Sequence, residues 1–211
     1  MTPTLVLPAP PSSDKRRLPV FWIVLLVLAA AGIGGWAYVT HRTYHLVTVR
    51  PGQLYRAGLQ DFSPFENAVR KVKPRTIVSL IDDRELADPS KPQFRREVDT
   101  FADPARGTRV ERVPVALGGW PQGDEVERFL AVAADPARQP VLVHCAQGVR
   151  RTGMMVAAYQ LSVLGYDKER AKREMEAFGH SDRTVGDIVR FIDHYDPQTK
   201  RMTEALPASK E

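Results

Sequence analysis

The hydrophobic pattern divides the chain into two regimes. From Leu18 to Val39 the residues read LPVFWIVLLVLAAAGIGGWAYV, without one charged side chain. A helix rises 1.5 Å per residue, so about 20 apolar residues cross the hydrocarbon core of a bilayer. The run therefore predicts a transmembrane helix over 18–39, with Trp22, Trp36 and Tyr38 near its ends, where amphipathic rings favour the interface. A buried core helix and a cleaved signal peptide are the alternatives. The small residues of LAAAGIGG suit a cleavage site, but a signal peptide's apolar region is shorter, at about 7 to 15 residues. Length favours an uncleaved signal anchor.

After residue 50 the apolar positions alternate between strand-like and helix-like spacing. GQLYRAG reads as an opening strand and PFENAVRKV as a short amphipathic helix. RTIVSLI, residues 75–81, is a β-branched apolar run of the kind that fills a buried parallel strand. A connection rich in Pro and Asp precedes the helix QFRREVDTFA; TRVERVPVA is the next strand and DEVERFLAVAA the next helix. PVLVHC is a wholly apolar strand ending at a cysteine, and TGMMVAAYQLSVLG is a helix that Gly165 would close. DKERAKREMEAFG and VGDIVRFIDHY add two more helices. Repeated βαβ units predict an α/β fold with a mostly parallel central sheet and helices on both faces. The organisation expected is a disordered tail over 1–17, the span at 18–39, a linker at 40–49, one domain over 50–196, and a flexible tail over 197–211.

The formal charge of +5 could suggest a nucleic-acid partner, but its distribution excludes one. Lys15, Arg16, Arg17 and Arg42 against Asp14 put a surplus of +3 in the first 43 residues, leaving +2 for the domain. No basic stripe remains to follow a phosphate backbone. The three cations just before the apolar run favour a cytoplasmic N-terminus. The domain would then lie outside the cytoplasm, in the periplasm if the source is a Gram-negative bacterium.

The chain contains one cysteine, which rules out an intrachain disulfide and a multi-cysteine metal site. That cysteine stands in VHCAQGVRRTG, residues 143–153. A buried strand would deliver Cys145 to the C-terminal edge of the sheet, where open α/β sheets bind ligands. The loop then feeds a helix N-terminus, whose N–H groups and dipole suit a phosphate and favour a thiolate. Gly148 would let the N–H groups from Ala146, Gln147, Val149 and Arg150 to Thr152 converge on one anion. Arg151 would pair bidentately with phosphate oxygens. Of the neighbours, His144 is expected to hold the loop backbone from beneath, Arg150 to face solvent, and Thr152 to donate its hydroxyl to the sulfur.

The arrangement His144-Cys145, five residues, Arg151-Thr152-Gly153 resembles the signature loop of the cysteine-dependent protein phosphatases. GQLYRAGLQ, RTIVSLIDD and the PVLVHC strand resemble the small bacterial dual-specificity members, so that the likeness covers roughly residues 50–195. It implies hydrolysis of phosphomonoesters, phosphotyrosine and by extension phosphoserine or phosphothreonine, through a phosphocysteine intermediate, with no metal and no cofactor. The partners implied are a phosphorylated protein or a small phosphomonoester, and the membrane through 18–39. A phosphoinositide or inositol phosphate is the second substrate class. Inositide-type loops usually carry lysines where this one has Ala146, Gln147 and Val149.

One part of the family pattern is missing. Relatives place a general acid on the loop after the third strand, but here it reads LGGWPQGDE, with Gly118 or Gly119 at that point. Asp124, slightly later, is the acid expected, with helix capping as its other role; Asp82 and Asp83 are further candidates. The gap leaves open a phosphate-binding pseudophosphatase that recognises phosphorylated partners. A rhodanese-like sulfurtransferase would also carry a cysteine in an anion-binding loop, but RTG argues against it.

Overall fold

The computed structural model describes residues 20–178 and 180–208. The expected disordered tail at 1–17, Leu18 and Pro19 of the expected span, and residues 209–211 lie outside the described residues. The chain divides into two units, Met1–Val39 and Thr40–Glu211.

The first helix, α1 (Val20–His41), is built from the apolar run. Its described large side chains are exposed, from 45% at Leu25 to 68% at Leu26. Among the described residues no helix is long and apolar enough to cross a membrane. The fold therefore does not establish a transmembrane helix over 18–39.

The second unit is a five-stranded sheet between two helical layers. Its elements run β1 (Val47–Arg50), β2 (Leu54–Gly58), α2 (Phe62–Val72), β3 (Thr76–Ser79), α3 (Asp83–Ala87), α4 (Pro92–Phe101), β4 (Arg109–Arg112), α5 (Gly123–Ala134), β5 (Val141–Cys145), α6 (Arg150–Ser162), α7 (Lys168–Phe178) and α8 (Asp182–His194). A small hairpin of β6 (Tyr195–Asp196) and β7 (Arg201–Met202) follows. The strand order is β1-β2-β5-β3-β4, with only β1 antiparallel to its neighbour. The mostly parallel α/β sheet expected from the βαβ pattern is thus present.

Side chains alternate across a strand, so each core strand feeds two separate cores. In β5, Val141, Val143 and Cys145 join a cluster with Phe129 of α5, Met154 and Met155 of α6, and Phe191 of α8. Leu142 points the other way, into a cluster with Phe65 of α2 and Phe94 and Phe101 of α4. The β5 side chains are fully buried or nearly so, which is why its sequence is a continuous apolar run rather than an alternating one. This alternation also decides which way each residue at the end of β5 faces.

Several boundaries move. β1 begins inside the segment expected to be a linker at 40–49, and α3 lies inside the Pro- and Asp-rich connection. α6 starts at Arg150 and ends at Ser162, before Gly165, whose φ of 66° serves the following turn. Residues from 197, expected as a flexible tail, carry β7 instead, and Trp120 Nε1 donates to Pro207 O at 2.9 Å.

Candidate active site

β5 ends at Cys145, and α6 begins after four intervening residues. The chain can turn this tightly because of Gly148, whose φ is 73°. A β-carbon there would stand 2.3 Å from Ala57 O. Gly58 meets the loop from the other side, where a β-carbon would lie 2.5 Å from Gln147 O. Gly148 in the loop and Gly58 at the end of β2 thus let the loop lie directly on the sheet edge. The result is visible at the sulfur: Gly148 N–H donates to Cys145 Sγ at 3.2 Å, and Cys145 is 3% exposed.

Arg151, on the first turn of α6, comes to the same cleft. Its guanidinium is held by the buried Glu85 carboxylate, with Nη1 bonded to Oε2 and Nη2 to Oε1 at 2.9 Å. Nη1 also donates to Leu80 O at 3.1 Å and Val115 O at 3.2 Å. Glu85 is itself fixed by a reciprocal cap: Glu85 N donates to Asp82 Oδ1 at 2.7 Å, and Asp82 N to Glu85 Oε2 at 3.3 Å. The other oxygen of Asp82 accepts from Leu117 N at 2.9 Å, tying α3 to the loop before α5. Burial alone would raise the Asp82 carboxyl, but the N–H groups of Glu85 and Leu117 and the nearby Arg151 hold it below the ordinary carboxylate range. Asp82 is therefore a clamp, and Asp83 pairs with Arg112 at 2.8 Å.

The remaining residues singled out in the sequence divide in two. Ala146, Gln147 and Arg150 line a cleft of about 510 Å³ with Cys145 and Arg151, whereas Gly148, Val149 and Thr152 are buried beneath it. Arg150 does not face solvent as expected. It donates to Asp187 Oδ2 at 2.7 Å and to Gly119 O at 2.7 Å, and lies over the Trp120 ring, so it clamps the glycine loop to α8. Nor does Thr152 reach the sulfur, since its buried hydroxyl has no hydrogen-bond partner among the described residues. His144 follows the β5 alternation to the far face of the sheet. There Nε2 meets Glu97 Oε1 at 2.7 Å and the ring packs on Phe65, while no hydrogen bond joins its Nδ1 to the loop. Asp124 is exposed in the first turn of α5, where a carboxylate complements the helix dipole, and does not line the cleft.

Several residues of the site had not been singled out. Glu85 had one sequence signal, the spacing Asp82-x-x-Glu85 of a capping box. Arg56 had another, as the charged side chain in the middle of a core strand. It is 2% exposed and donates to Gly148 O at 2.7 Å and Val149 O at 3.2 Å. Burial pushes its guanidinium down to about 10, while the Cys145 sulfur pulls it upward. His45, from the expected linker, makes a 2.6 Å bond to Gln147 O. Lys91, His180 and Arg183 complete the rim of the cleft. They come from α4 and α8 ends that nothing in the local sequence joins to the cysteine.

The dual specificity protein phosphatase TpbA of Pseudomonas aeruginosa is 28% identical over 184 residues, covering 79% of this chain and 77% of TpbA. A crystal structure of TpbA superposes with a TM-score of 0.55 at 26% identity, covering 75% of this chain and 89% of that one. The catalytic domain of the PP-IP phosphatase SIW14 from S. cerevisiae shares the fold, with a TM-score of 0.56 at 20% identity over 74% of this chain and 87% of its own. Residues 73–190, more than half the chain, match the family described as DSP-PTPase phosphatase fused to NAD+ kinase. That stretch runs from ahead of β3 into α8 and contains the whole cysteine loop: the chain belongs to this family of cysteine-dependent phosphatases.

Proposed function

We propose that this phosphatase hydrolyses phosphotyrosine, and phosphoserine or phosphothreonine, through a phosphocysteine intermediate on Cys145. The observation that carries the reading is the shared cleft of Cys145 and Arg151, with the Gly148 N–H on the sulfur. Cys145 Sγ attacks phosphorus, the S–P bond forms, and the ester P–O bond breaks. Arg151, its head fixed by Glu85, pairs with the equatorial oxygens, where the charge of the transition state is spread. Water then attacks phosphorus, breaks the S–P bond and releases inorganic phosphate and the thiolate. Phosphotyrosine comes first because a TpbA variant, 26% identical with a TM-score of 0.55 over 74% of this chain and 88% of its own, was crystallised in complex with it.

The leaving oxygen needs a proton, a role worth about 10²- to 10⁴-fold. Of the titratable groups lining the cleft, Glu85 and Asp187 pair with Arg151 and Arg150. His180 lines it as well, and we assign it as the donor rather than Asp124, which does not line the cleft. Turnover of phosphotyrosine peptide should vanish in Cys145→Ser; retained turnover would refute the mechanism. Phosphoserine turnover should fall in His180→Asn and stay within about twofold in Asp124→Asn; the reverse pattern would restore Asp124.

The rim cations favour a second substrate class. Lys91 and Arg183 suit a ligand with a further anionic group near the scissile phosphate, the chemistry of an inositol phosphate or phosphoinositide. Parallel hydrolysis of a phosphotyrosine peptide and a soluble inositol phosphate ranks the two.

The membrane anchor also belongs here. Its support is an α1 of 22 residues without Asp, Glu, Lys or Arg, preceded by Lys15, Arg16 and Arg17. We propose a single pass with the N-terminus cytoplasmic and the phosphatase domain outside. Sedimentation with membranes after alkaline washing, and digestion of the domain by externally added protease in spheroplasts, are the outcomes expected. A soluble or protease-protected domain would refute it.

A further inference from the structure

Arg56 is a buried cation, and among the described residues no carboxylate pairs with it. Its Nη2 donates to Gly148 O and Val149 O, its Nη1 to Met175 Sδ at 3.7 Å, and its face lies 3.9 Å over the Phe178 ring. Nε is buried with no hydrogen-bond partner among the described residues. An unpaired charge is expensive to bury, and carbonyl dipoles, a thioether and an aromatic face offset only part of that cost. The missing anion lies in the same loop.

The hydrogen bonds also dictate where the loop's donors point. In a trans peptide the N–H lies opposite the C=O that precedes it. His45 takes Gln147 O, and the next N–H, that of Gly148, points at Cys145 Sγ. By the same geometry, Gly148 O and Val149 O turned down onto Arg56 send the Val149 and Arg150 N–H groups to the opposite side. We infer that Arg56 is a positioning residue for the nucleophile, turning the loop N–H groups away from the sheet toward the anion site and supplying the buried positive charge that favours ionised Cys145.

Other charges surround the sulfur, and each has its own partner or a more exposed place. Arg151 is paired with Glu85, Arg150 with Asp187, and His144 with Glu97 on the far face. His180 and Arg183, both exposed, and Lys91, which pairs with Asp88 at 3.5 Å, stand at the rim. On the other side of Arg56, Glu174 lines the same cavity but is bonded to Gln160 and lies 3.8 Å from Arg170, and His45 is bonded to the loop. Removing Arg56 should therefore act on the thiol more than removing any rim cation.

The test uses the full-length chain, whose single cysteine makes iodoacetamide alkylation specific for Cys145. Alkylation rate against pH is measured for wild type, R56K, R56Q and R56M, with thermal unfolding of each. The midpoint should rise by about one pH unit in R56Q and R56M, a tenfold loss of thiolate below it, and stay within about 0.3 unit in R56K. Unfolding temperatures should fall in all three, so a purely structural role would lower them without moving the midpoint. Unchanged midpoints in R56Q and R56M, or an equal rise in R56K, would overturn the inference. Where one neutral variant does not fold, the other is read against R56K: a rise of about one unit confined to the neutral variant supports the inference, and equal midpoints overturn it. The inference rests on the thiolate mechanism, but alkylation requires no turnover, so the two fail separately.

Discussion

Replacing Glu85 by glutamine probes the arrangement that holds Arg151. Both side chains are buried, at 4% and 5% exposure, and the pair is bidentate. Glutamine keeps the volume and one acceptor oxygen, but its amide nitrogen then faces a guanidinium N–H, and the buried cation loses its bidentate carboxylate partner. A hydrogen bond to a charged group contributes about 1.5–3 kcal/mol, and breaking a buried pair costs about 3–5 kcal/mol. Glu85→Gln keeps one of the two bonds, so a loss of about 2–3 kcal/mol is expected. For a domain of this size that corresponds to about 4–12 °C in the unfolding midpoint. The same freedom lets the guanidinium swing away from the phosphate. Since a misplacement of about 1 Å can cost about 10²-fold, kcat/KM should fall by about 10- to 100-fold. Differential scanning fluorimetry and steady-state hydrolysis of p-nitrophenyl phosphate read both effects on one preparation. Added inorganic phosphate should raise the midpoint of the wild type as a ligand of the native state, and less so that of the variant. A variant within about 1 kcal/mol of wild type in stability, and within about twofold in kcat/KM, would show that Glu85 does not position Arg151.

Further outcomes are expected elsewhere in the site. Gly148→Ala must accept a φ of 73° and a β-carbon 2.3 Å from Ala57 O; turnover should fall by more than about 100-fold, with a lowered unfolding midpoint. Arg150→Met removes the ion pair with the buried Asp187 and the bonds to the Gly118 and Gly119 carbonyls, so stability should fall by about 3 kcal/mol and proteolysis near Trp120 should quicken. Asp82→Asn loses the bond to Leu117 N, costing about 1 kcal/mol at neutral pH. Because the folded state holds the Asp82 carboxyl low, its contribution is complete above its unfolded value of about 3.9. It is lost as pH falls through the lower folded value, so wild type and Asp82→Asn should converge there in urea titrations followed by circular dichroism.

The chain's own order determined what depends on neighbours along it. Periodicity placed the βαβ frame because strand and helix spacings differ over a few residues, and the cysteine loop was legible because Cys145, Gly148 and Arg151 are joined by one turn of backbone. Short elements escaped: β1 has only four residues and α3 five, too few for a period to emerge. What the tertiary structure decided is where each polar side chain spends its charge. β5 alternation sends His144 to Glu97 on the opposite face from Cys145, which no reading of the motif alone foretold. Arg150 looked like a solvent-facing neighbour of Arg151, yet helix geometry turns it onto Asp187, 37 residues away, and onto the glycine loop. The partners that hold Arg151 and the cysteine loop come from α3, from β2 and from the residues before β1. Those partners meet only because parallel strands bring distant segments to one edge of the sheet, and a buried charge must find its counterpart wherever the fold has put it.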